Sequence, residues 1–214
     1  MKKTIAQILF LLVFLAEMYA IIFDNQLVMF VAKPMLMVSL AIFYLVSVSK
    51  PNFWYVSALF FSFWGDSLLL FKDEYFVLGL ASFLLAHLSY ITISSKYLQQ
   101  VSLNKIILHS LPFVIFLVLL MNLIYPNLDA MFIPVLVYGI VISVFGAVTY
   151  LVFSMHKSTA NLWLFLGALL FIASDSVLAI NKFYESQEIY QVLIMITYIT
   201  AQFLICKAII AKSN

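Results

Sequence analysis

Arginine is absent from this sequence, and charged residues of either sign are scarce. Only 9% of the 214 residues are charged, whereas 66% are hydrophobic, and the mean hydropathy is +1.14. A chain this apolar is not expected to be a soluble globular domain. The single cysteine, Cys206, excludes an internal disulfide framework. A net charge of +2 from scattered lysines offers no basic patch, so no nucleic-acid partner is expected.

Long apolar runs fill the chain. A helix of about 20 residues crosses the hydrocarbon of a membrane, and eight runs of this kind can be delimited. They cover residues 4–22, 28–48, 53–71, 76–96, 105–124, 131–154, 160–181 and 188–210. The first run follows Lys2-Lys3 without a convincing cleavage site, so we expect it to be a span rather than a signal peptide. The sequence predicts an all-α bundle of eight transmembrane helices in a single integral-membrane domain, residues 1–214.

The lysines indicate how this bundle is oriented. With a cytoplasmic N-terminus, most lysines fall at the inner ends of the spans, and only Lys72 and Lys182 fall at outer ends. Acidic loop residues such as Asp73 and Glu185 then fall outside. Because cytoplasmic loops are enriched in basic residues, we predict that both termini are cytoplasmic. The expected location is the bacterial inner membrane.

Five ionisable side chains lie inside the apolar runs: Glu17, Lys33, Asp66, His87 and Asp175. Charge at membrane depth is costly and therefore indicates a functional site. In the predicted topology four of these residues lie in the outer third of their helices, and the histidine lies near the midplane. We predict one polar chamber that opens toward the outer face. Helical spacing and depth add tyrosines to its lining, namely Tyr90, Tyr138 and Tyr198.

The two aspartates share a local pattern. Gly65-Asp66-Ser67-Leu68-Leu69 and Ser174-Asp175-Ser176-Val177-Leu178 both read small residue, Asp, Ser, aliphatic, Leu. They lie on helices that are predicted to run in the same direction, which favours a parallel repeat of four plus four helices. The match is short, and His87 corresponds to Ile196, so an accidental likeness stays an alternative.

The other ionisable residues have structural alternatives. Glu17 and Lys33 fit either an ion pair that joins the first two helices or direct contact with a substrate. His87 and Tyr90 are three residues apart and fit either a hydrogen-bonded core pair or a catalytic arrangement. The sequence leaves both choices open.

Three rival functions follow from the same residues. A metal site needs several His, Cys or carboxylate ligands, and the chamber would offer at most Asp66, Asp175 and His87. We therefore predict no metal and no cofactor, with a metal-dependent intramembrane lipid hydrolase as an alternative. Carboxylates at membrane depth also serve as proton relays in carriers, so a small proton-coupled transporter is a second alternative. A non-catalytic lipid-binding scaffold is the third.

Several short motifs in this order and spacing point to a known family. They are Lys33-Pro34, Gly65-Asp66-Ser67-Leu68-Leu69, the stretch from Gly79 through Ala86-His87 to Tyr90, and Gly167 followed by Ser174-Asp175. With eight spans, the chain resembles the YhhN/TMEM86 family of lysoplasmalogenases over essentially its whole length. The resemblance implies hydrolysis of the vinyl ether bond of a lysophospholipid, lysoplasmenyl-ethanolamine or lysoplasmenyl-choline. The products would be a fatty aldehyde and a glycerophospho-headgroup.

The resemblance also implies roles for residues of this chain. The two intramembrane aspartates of the family fall on Asp66 and Asp175, its Lys-Pro pair on Lys33-Pro34, and its fourth-helix histidine on His87. Hydrolysis of an enol ether needs an acid that protonates carbon and a carboxylate that stabilises the resulting cation and activates water. As a hypothesis, Asp175 is the acid and Asp66 the base, and the sequence does not fix which is which.

Substrate binding would use the remaining polar residues of the chamber. Lys33 is expected to bind the phosphate of the lysophospholipid, aided by Tyr138 or Tyr198. The single hydrocarbon chain would lie in the apolar space between helices, among the surrounding membrane lipid.

Overall fold

A computed structural model describes residues 1–71, 74–98 and 100–213 of the chain, so Lys72 and Asp73 lie outside the described residues. Every regular element in these ranges is helical, which confirms the all-α prediction. Two short 3₁₀ turns, Tyr125–Asn127 and Asp129–Met131, lie in the connection between the fifth and sixth α-helices. The α-helices are α1 (Lys2–Ile22), α2 (Gln26–Leu45), α3 (Phe53–Leu69), α4 (Phe76–Ser95), α5 (Leu103–Ile124), α6 (Phe132–Met155), α7 (Thr159–Phe183) and α8 (Glu188–Ser213).

Polar side chains begin three of these helices. Asn25, Asn52 and Ser158 precede α2, α3 and α7, and each accepts a hydrogen bond from a backbone N–H three residues later, at 3.2, 3.3 and 3.2 Å. Such caps satisfy N–H groups that have no partner inside the helix. They interrupt the apolar runs where the sequence predicted loops, so the observed helices agree with the predicted spans to within a few residues.

The helices are suited to a membrane by length and composition. Within the described chain, seven helices, all except α3, are long and apolar enough to cross a bilayer. The α3 helix has 17 residues, which corresponds to about 25 Å of helix against a hydrocarbon core of about 30 Å. The chain is therefore an integral membrane protein.

The chain folds as two compact units. Unit 1 comprises residues 1–89 and 209–214, and unit 2 comprises residues 90–208. In unit 1, α1 packs on α2 and α2 packs on α3. In unit 2, α5 packs on α6 and α6 packs on α7. Both α4 and α8 contribute residues to each unit, and a single domain over residues 1–214 stays a prediction.

Candidate functional site

Asp66 lies where α3 and α4 approach each other closely. Only 2% of this residue is exposed. The preceding residue, Gly65, leaves room for an aromatic ring of α4, since a Cβ added to it would lie 2.5 Å from Cε2 of Phe83. On α4, Gly79 faces Leu69 in the same way, at 2.8 Å. Two glycines therefore bring α4 against α3 beside a buried aspartate, as expected of small residues at a helix interface in a membrane.

His87 is fully buried on α4 and has a defined tautomer. Its Nδ1 lies 2.8 Å from the carbonyl oxygen of Phe83, one turn earlier. A carbonyl oxygen only accepts hydrogen bonds, so Nδ1 carries the proton and donates it. In the neutral imidazole, Nε2 is then an acceptor. The contact with Phe83 therefore fixes which nitrogen of the neutral ring carries the proton.

Asp175 on α7 accepts a hydrogen bond from Tyr138 on α6. The phenol hydroxyl donates to Oδ2 of the carboxylate; the tyrosine is buried and the aspartate partly buried. The two residues lie at nearly equal sequence distances from the ends of α6 and α7 that flank the turn between them, Met155 and Thr159. Because antiparallel helices have the same rise per residue, similar distances from the turn place both side chains at one level. The turn thus sets the register of this pair.

Close packing of α6 on α7 supports the same contact. A Cβ added to Gly146 of α6 would lie 2.6 Å from Cδ1 of Ile172, which is one turn before Asp175. On the other side of the glycine, the same Cβ would meet the ring of Phe113. The glycine therefore lets α6 lie close to both neighbouring helices, and this brings the phenol within reach of the carboxylate.

The shared Asp-Ser motif has the same local structure in both helices. Ser67 and Ser176 each donate to the carbonyl four residues earlier in their own helix, at 2.8 and 2.5 Å. Such back-bonding satisfies a hydroxyl where lipid offers no partner. The residue before each aspartate contacts the following helix: Gly65 faces α4, and Ser174 donates to the carbonyl of Ile194 on α8 at 2.9 Å. The serines therefore have structural partners, and a catalytic role for the aspartates stays a prediction.

Tyr90 and Tyr198 belong to a buried hydrogen-bonded cluster in unit 2. The Tyr90 hydroxyl donates to Oε1 of Gln202 at 2.6 Å, and Nε2 of Gln202 lies 3.5 Å from the Tyr198 hydroxyl. The ring of Tyr90 stacks on Phe145 with a centroid distance of 5.6 Å, and the ring of Tyr198 meets Phe171 edge to face at 5.3 Å. The single phenol proton of Tyr90 is committed to Gln202. Contact of either tyrosine with a substrate stays a prediction.

Glu17 and Lys33 are neighbours in unit 1. Glu17 on α1 is completely buried, and both of its carboxylate oxygens lack a hydrogen-bond partner among the residues that the structure describes. Lys33 is partly buried on α2, and its positive charge acts electrostatically on the carboxylate. Lys33 is the eighth residue of α2, so it lies further into the helix than its position in the predicted span, which begins at residue 28. The two residues therefore interact by charge without a direct hydrogen bond.

Metal ligands do not cluster in the part of the chain that the structure describes. There, no group of three or more His, Cys, Asp or Glu side chains could hold a metal ion. A metal-dependent hydrolase stays an alternative.

The structure makes neighbours of several predicted site residues. Asp66 and His87 lie on α3 and α4 in unit 1, and one chamber shared by all the residues stays a prediction. Sequence reasoning did not find the pairing of Tyr138 with Asp175, although similar distance from the α6–α7 turn is the signal that predicts it. The groups of neighbours are Tyr138 with Asp175, Tyr90 with Gln202 and Tyr198, and Glu17 with Lys33.

Comparison with known proteins gives the following relationships. The sequence profile of the YhhN family matches residues 28–209. The chain is 32% identical over 154 residues to lysoplasmalogenase TMEM86A of Bos taurus, a match that covers 69% of this chain and 61% of that protein. The chain thus spans about three fifths of the length of this curated relative. No solved structure matches the chain significantly.

Proposed function

Because this chain belongs to the YhhN family, we propose that it is a membrane-embedded hydrolase that cleaves the vinyl ether bond of a lysoplasmalogen. Its similarity to a protein named lysoplasmalogenase supports this substrate class. The hydrogen bond from Tyr138 to Asp175 is the observation that carries the proposal, because it holds a carboxyl group in one orientation within the helical bundle. The products are a fatty aldehyde and glycerophosphoethanolamine or glycerophosphocholine.

The reaction starts with protonation of carbon. A carboxylic acid gives its proton to the β-carbon of the vinyl ether, where the electron pair of the double bond forms the new C–H bond. Positive charge then spreads over the α-carbon and the ether oxygen as an oxocarbenium ion. Water adds to the α-carbon and loses a proton to the second carboxylate. The hemiacetal hydroxyl then gives its proton to the first carboxylate while the second carboxylic acid protonates the departing ether oxygen, so that the C–O bond breaks and the aldehyde and the headgroup alcohol are released. Two carboxyl groups in different protonation states serve both steps.

We assign the acid to Asp175 and the base to Asp66. The phenol of Tyr138 donates to Oδ2 of Asp175, so a proton on that carboxyl group resides on Oδ1. After proton transfer the same phenol stabilises the carboxylate that remains, which favours Asp175 as the donor. Asp66 is buried at a similar predicted depth and takes the role of cation stabiliser and general base.

Other residues bind the substrate in this proposal. Lys33 binds the phosphate, because a lysine ammonium is a compact positive charge with three donors. His87 accepts a hydrogen bond at Nε2 from the free hydroxyl of the lysolipid glycerol, in agreement with the donation of its Nδ1 to Phe83. The rings of Tyr90 and Tyr198 border the hydrocarbon chain.

The topology that accompanies this function has eight spans. We propose that α3 also crosses the membrane, that both termini are cytoplasmic, and that the chamber opens toward the outer face of a bacterial inner membrane. A parallel repeat is supported by the helix positions, since the shift along the chain that takes Asp66 to Asp175 also superimposes α2, α3 and α4 in sequence on α6, α7 and α8. The equal roles of Ser67 and Ser176 support the same repeat.

The decisive experiment follows aldehyde release by purified protein in detergent from lysoplasmenyl-ethanolamine, with and without a chelator. Asp175→Asn and Asp66→Asn should each lower kcat by about 100-fold or more, since general acid–base catalysis contributes about 10²–10⁴ in rate. Asp129→Asn, the same change at an exposed residue before α6, is the matched control and should leave the rate unchanged. Full activity of a well-folded Asp175→Asn protein would refute the mechanism.

The alternatives give different results in the same preparation. Loss of aldehyde release on chelation would favour the metal-dependent hydrolase. No release from folded protein, together with proton-coupled uptake in vesicles, would favour the transporter.

A further inference from the structure

Glu17 is a carboxyl group that the fold buries without supplying hydrogen-bond donors from the described residues. The residue is 0% exposed, and neither Oε1 nor Oε2 has a hydrogen-bond partner among the described residues. A buried carboxyl group in this condition is costly, because it has lost water and gained no replacement. A buried polar group without partners needs an explanation. A bound molecule that supplies the missing donors would explain the burial of Glu17 and would also give it a function.

The position of Lys33 narrows the chemistry of that molecule. The α1–α2 turn is short, and Glu17 and Lys33 lie five residues before the end of α1 and seven residues after the start of α2. Along the two helices these separations correspond to about 7.5 and 10.5 Å from the turn. The lysine acts electrostatically on the carboxylate but makes no hydrogen bond to its oxygens within the described chain. A cation and a carboxylate therefore lie at similar distances from the turn on two packed helices, and no hydrogen bond joins them.

A zwitterion with opposite charges on neighbouring groups complements this arrangement. In phosphoethanolamine the anionic phosphate and the cationic ammonium are separated by two carbon atoms. The phosphate suits Lys33, and the primary ammonium brings three N–H donors to the two oxygens of Glu17. A choline headgroup has the same charge but no N–H, so it leaves both oxygens without donors. A simple structural ion pair would instead bring the lysine ammonium into hydrogen-bond contact with the carboxylate.

We infer that Glu17 binds the primary ammonium of an ethanolamine headgroup while Lys33 binds the adjacent phosphate, so that this pair selects ethanolamine over choline lysolipids. The inference rests on the proposed function for its substrate class. It adds the residue that distinguishes one headgroup from the other.

Binding of the reaction product tests the inference without turnover. Calorimetry of the purified full chain in detergent would compare glycerophosphoethanolamine with glycerophosphocholine. Wild-type protein is expected to bind the ethanolamine compound about tenfold or more tightly, the size of a hydrogen-bonded charge contact. Glu17→Gln should reduce this preference to about twofold or less. Glu74→Gln, the same change at an exposed residue of unit 1, should keep the full preference.

A second variant separates recognition of the two charges. Lys33→Gln should weaken binding of both compounds by a similar factor, because both contain the phosphate. An unchanged preference in Glu17→Gln, or equal binding of both compounds by wild-type protein, would overturn the inference. If Glu17→Gln does not fold, Glu17→Asp keeps the charge one methylene further back and should show a reduced preference; a full preference in that variant would also count against the inference.

Kinetics distinguish failure of this inference from failure of the proposed function. Wild-type protein that releases no aldehyde from either lysoplasmenyl substrate but retains the binding preference contradicts the reaction and not the headgroup site. Protein that hydrolyses both substrates with equal kcat/KM, in wild type and in Glu17→Gln, contradicts the headgroup site and not the reaction.

Discussion

Replacement of Tyr138 by phenylalanine removes one hydroxyl group from the carboxyl group of Asp175 and little else. The tyrosine is 8% exposed, so bulk water does not take the place of the lost hydroxyl. The phenyl ring retains the packing of α6 on α7. Tyr138→Phe is therefore a direct test of the donor to Oδ2.

The expected size of the effect follows from the change in charge during proton transfer. A hydrogen bond between neutral groups contributes about 0.5–1.5 kcal/mol, and one to a charged group about 1.5–3 kcal/mol. Only the increase in hydrogen-bond strength between the ground state and the transition state accelerates the reaction. This increase is about 1–1.5 kcal/mol. Since about 1.4 kcal/mol corresponds to a tenfold change in rate, Tyr138→Phe should lower kcat by about five- to tenfold.

The assay is aldehyde release under saturating lysoplasmenyl-ethanolamine. Tyr150→Phe is the matched control, because it removes a phenol hydroxyl from the same helix while the stacking of its ring on Phe165, at 5.0 Å, is retained. It should have wild-type kcat. In an Asp175→Asn background, Tyr138→Phe should cause no further loss, because both changes act on one proton transfer.

Two results would refute this reasoning. Wild-type kcat in Tyr138→Phe would mean that the phenol does not act on a catalytic carboxyl group. A loss above about 1,000-fold with normal folding would exceed what one hydrogen bond supplies, and would point to direct contact of Tyr138 with the reacting atoms.

Two further predictions concern stability and are measured as thermal unfolding in detergent. Gly65→Ala should lower stability by about 1–3 kcal/mol, because its Cβ would lie 2.5 Å from the ring of Phe83, and an unchanged midpoint would contradict this packing. Gln202→Leu should cost about 1–3 kcal/mol, because the buried hydroxyl of Tyr90 loses its acceptor. Gln202→Glu keeps an acceptor at that position and should restore part of the loss, whereas equal loss in both variants would indicate that the hydrogen bond is unimportant.

Helix positions were predictable from the sequence, and the reason is physical. Three of the apolar runs are followed by a polar residue that satisfies a free N–H group of the next helix, namely Asn25, Asn52 and Ser158. Proline was less informative, because Pro34 lies within α2 and the helix continues through it. Its missing N–H removes only the bond to the carbonyl of Phe30, which is a local cost.

Pairing between helices was only partly predictable. Tyr138 and Asp175 lie at the same height along α6 and α7 because they are similarly far from the turn between these helices and the rise per residue is constant. The rotation of each helix about its axis does not follow from the sequence in the same way. It depends on close packing at positions such as Gly146, where a missing side chain sets how near two helices approach. For this reason the commitment of Tyr90 to Gln202 was not predicted.

The differences between the two repeated segments matter more for chemistry than their likeness. Under the shift along the chain that relates Asp66 to Asp175, the position equivalent to Tyr138 is Met29, which has no hydroxyl to donate. The positions equivalent to Lys33 and His87 in the second half are Ile142 and Ile196. Duplication of one aspartate helix would produce two identical carboxyl groups, whereas acid–base catalysis needs two that differ in protonation. The proposed division of roles therefore depends on neighbours that only one half possesses, and Tyr138 is the neighbour whose hydrogen bond to its aspartate is defined.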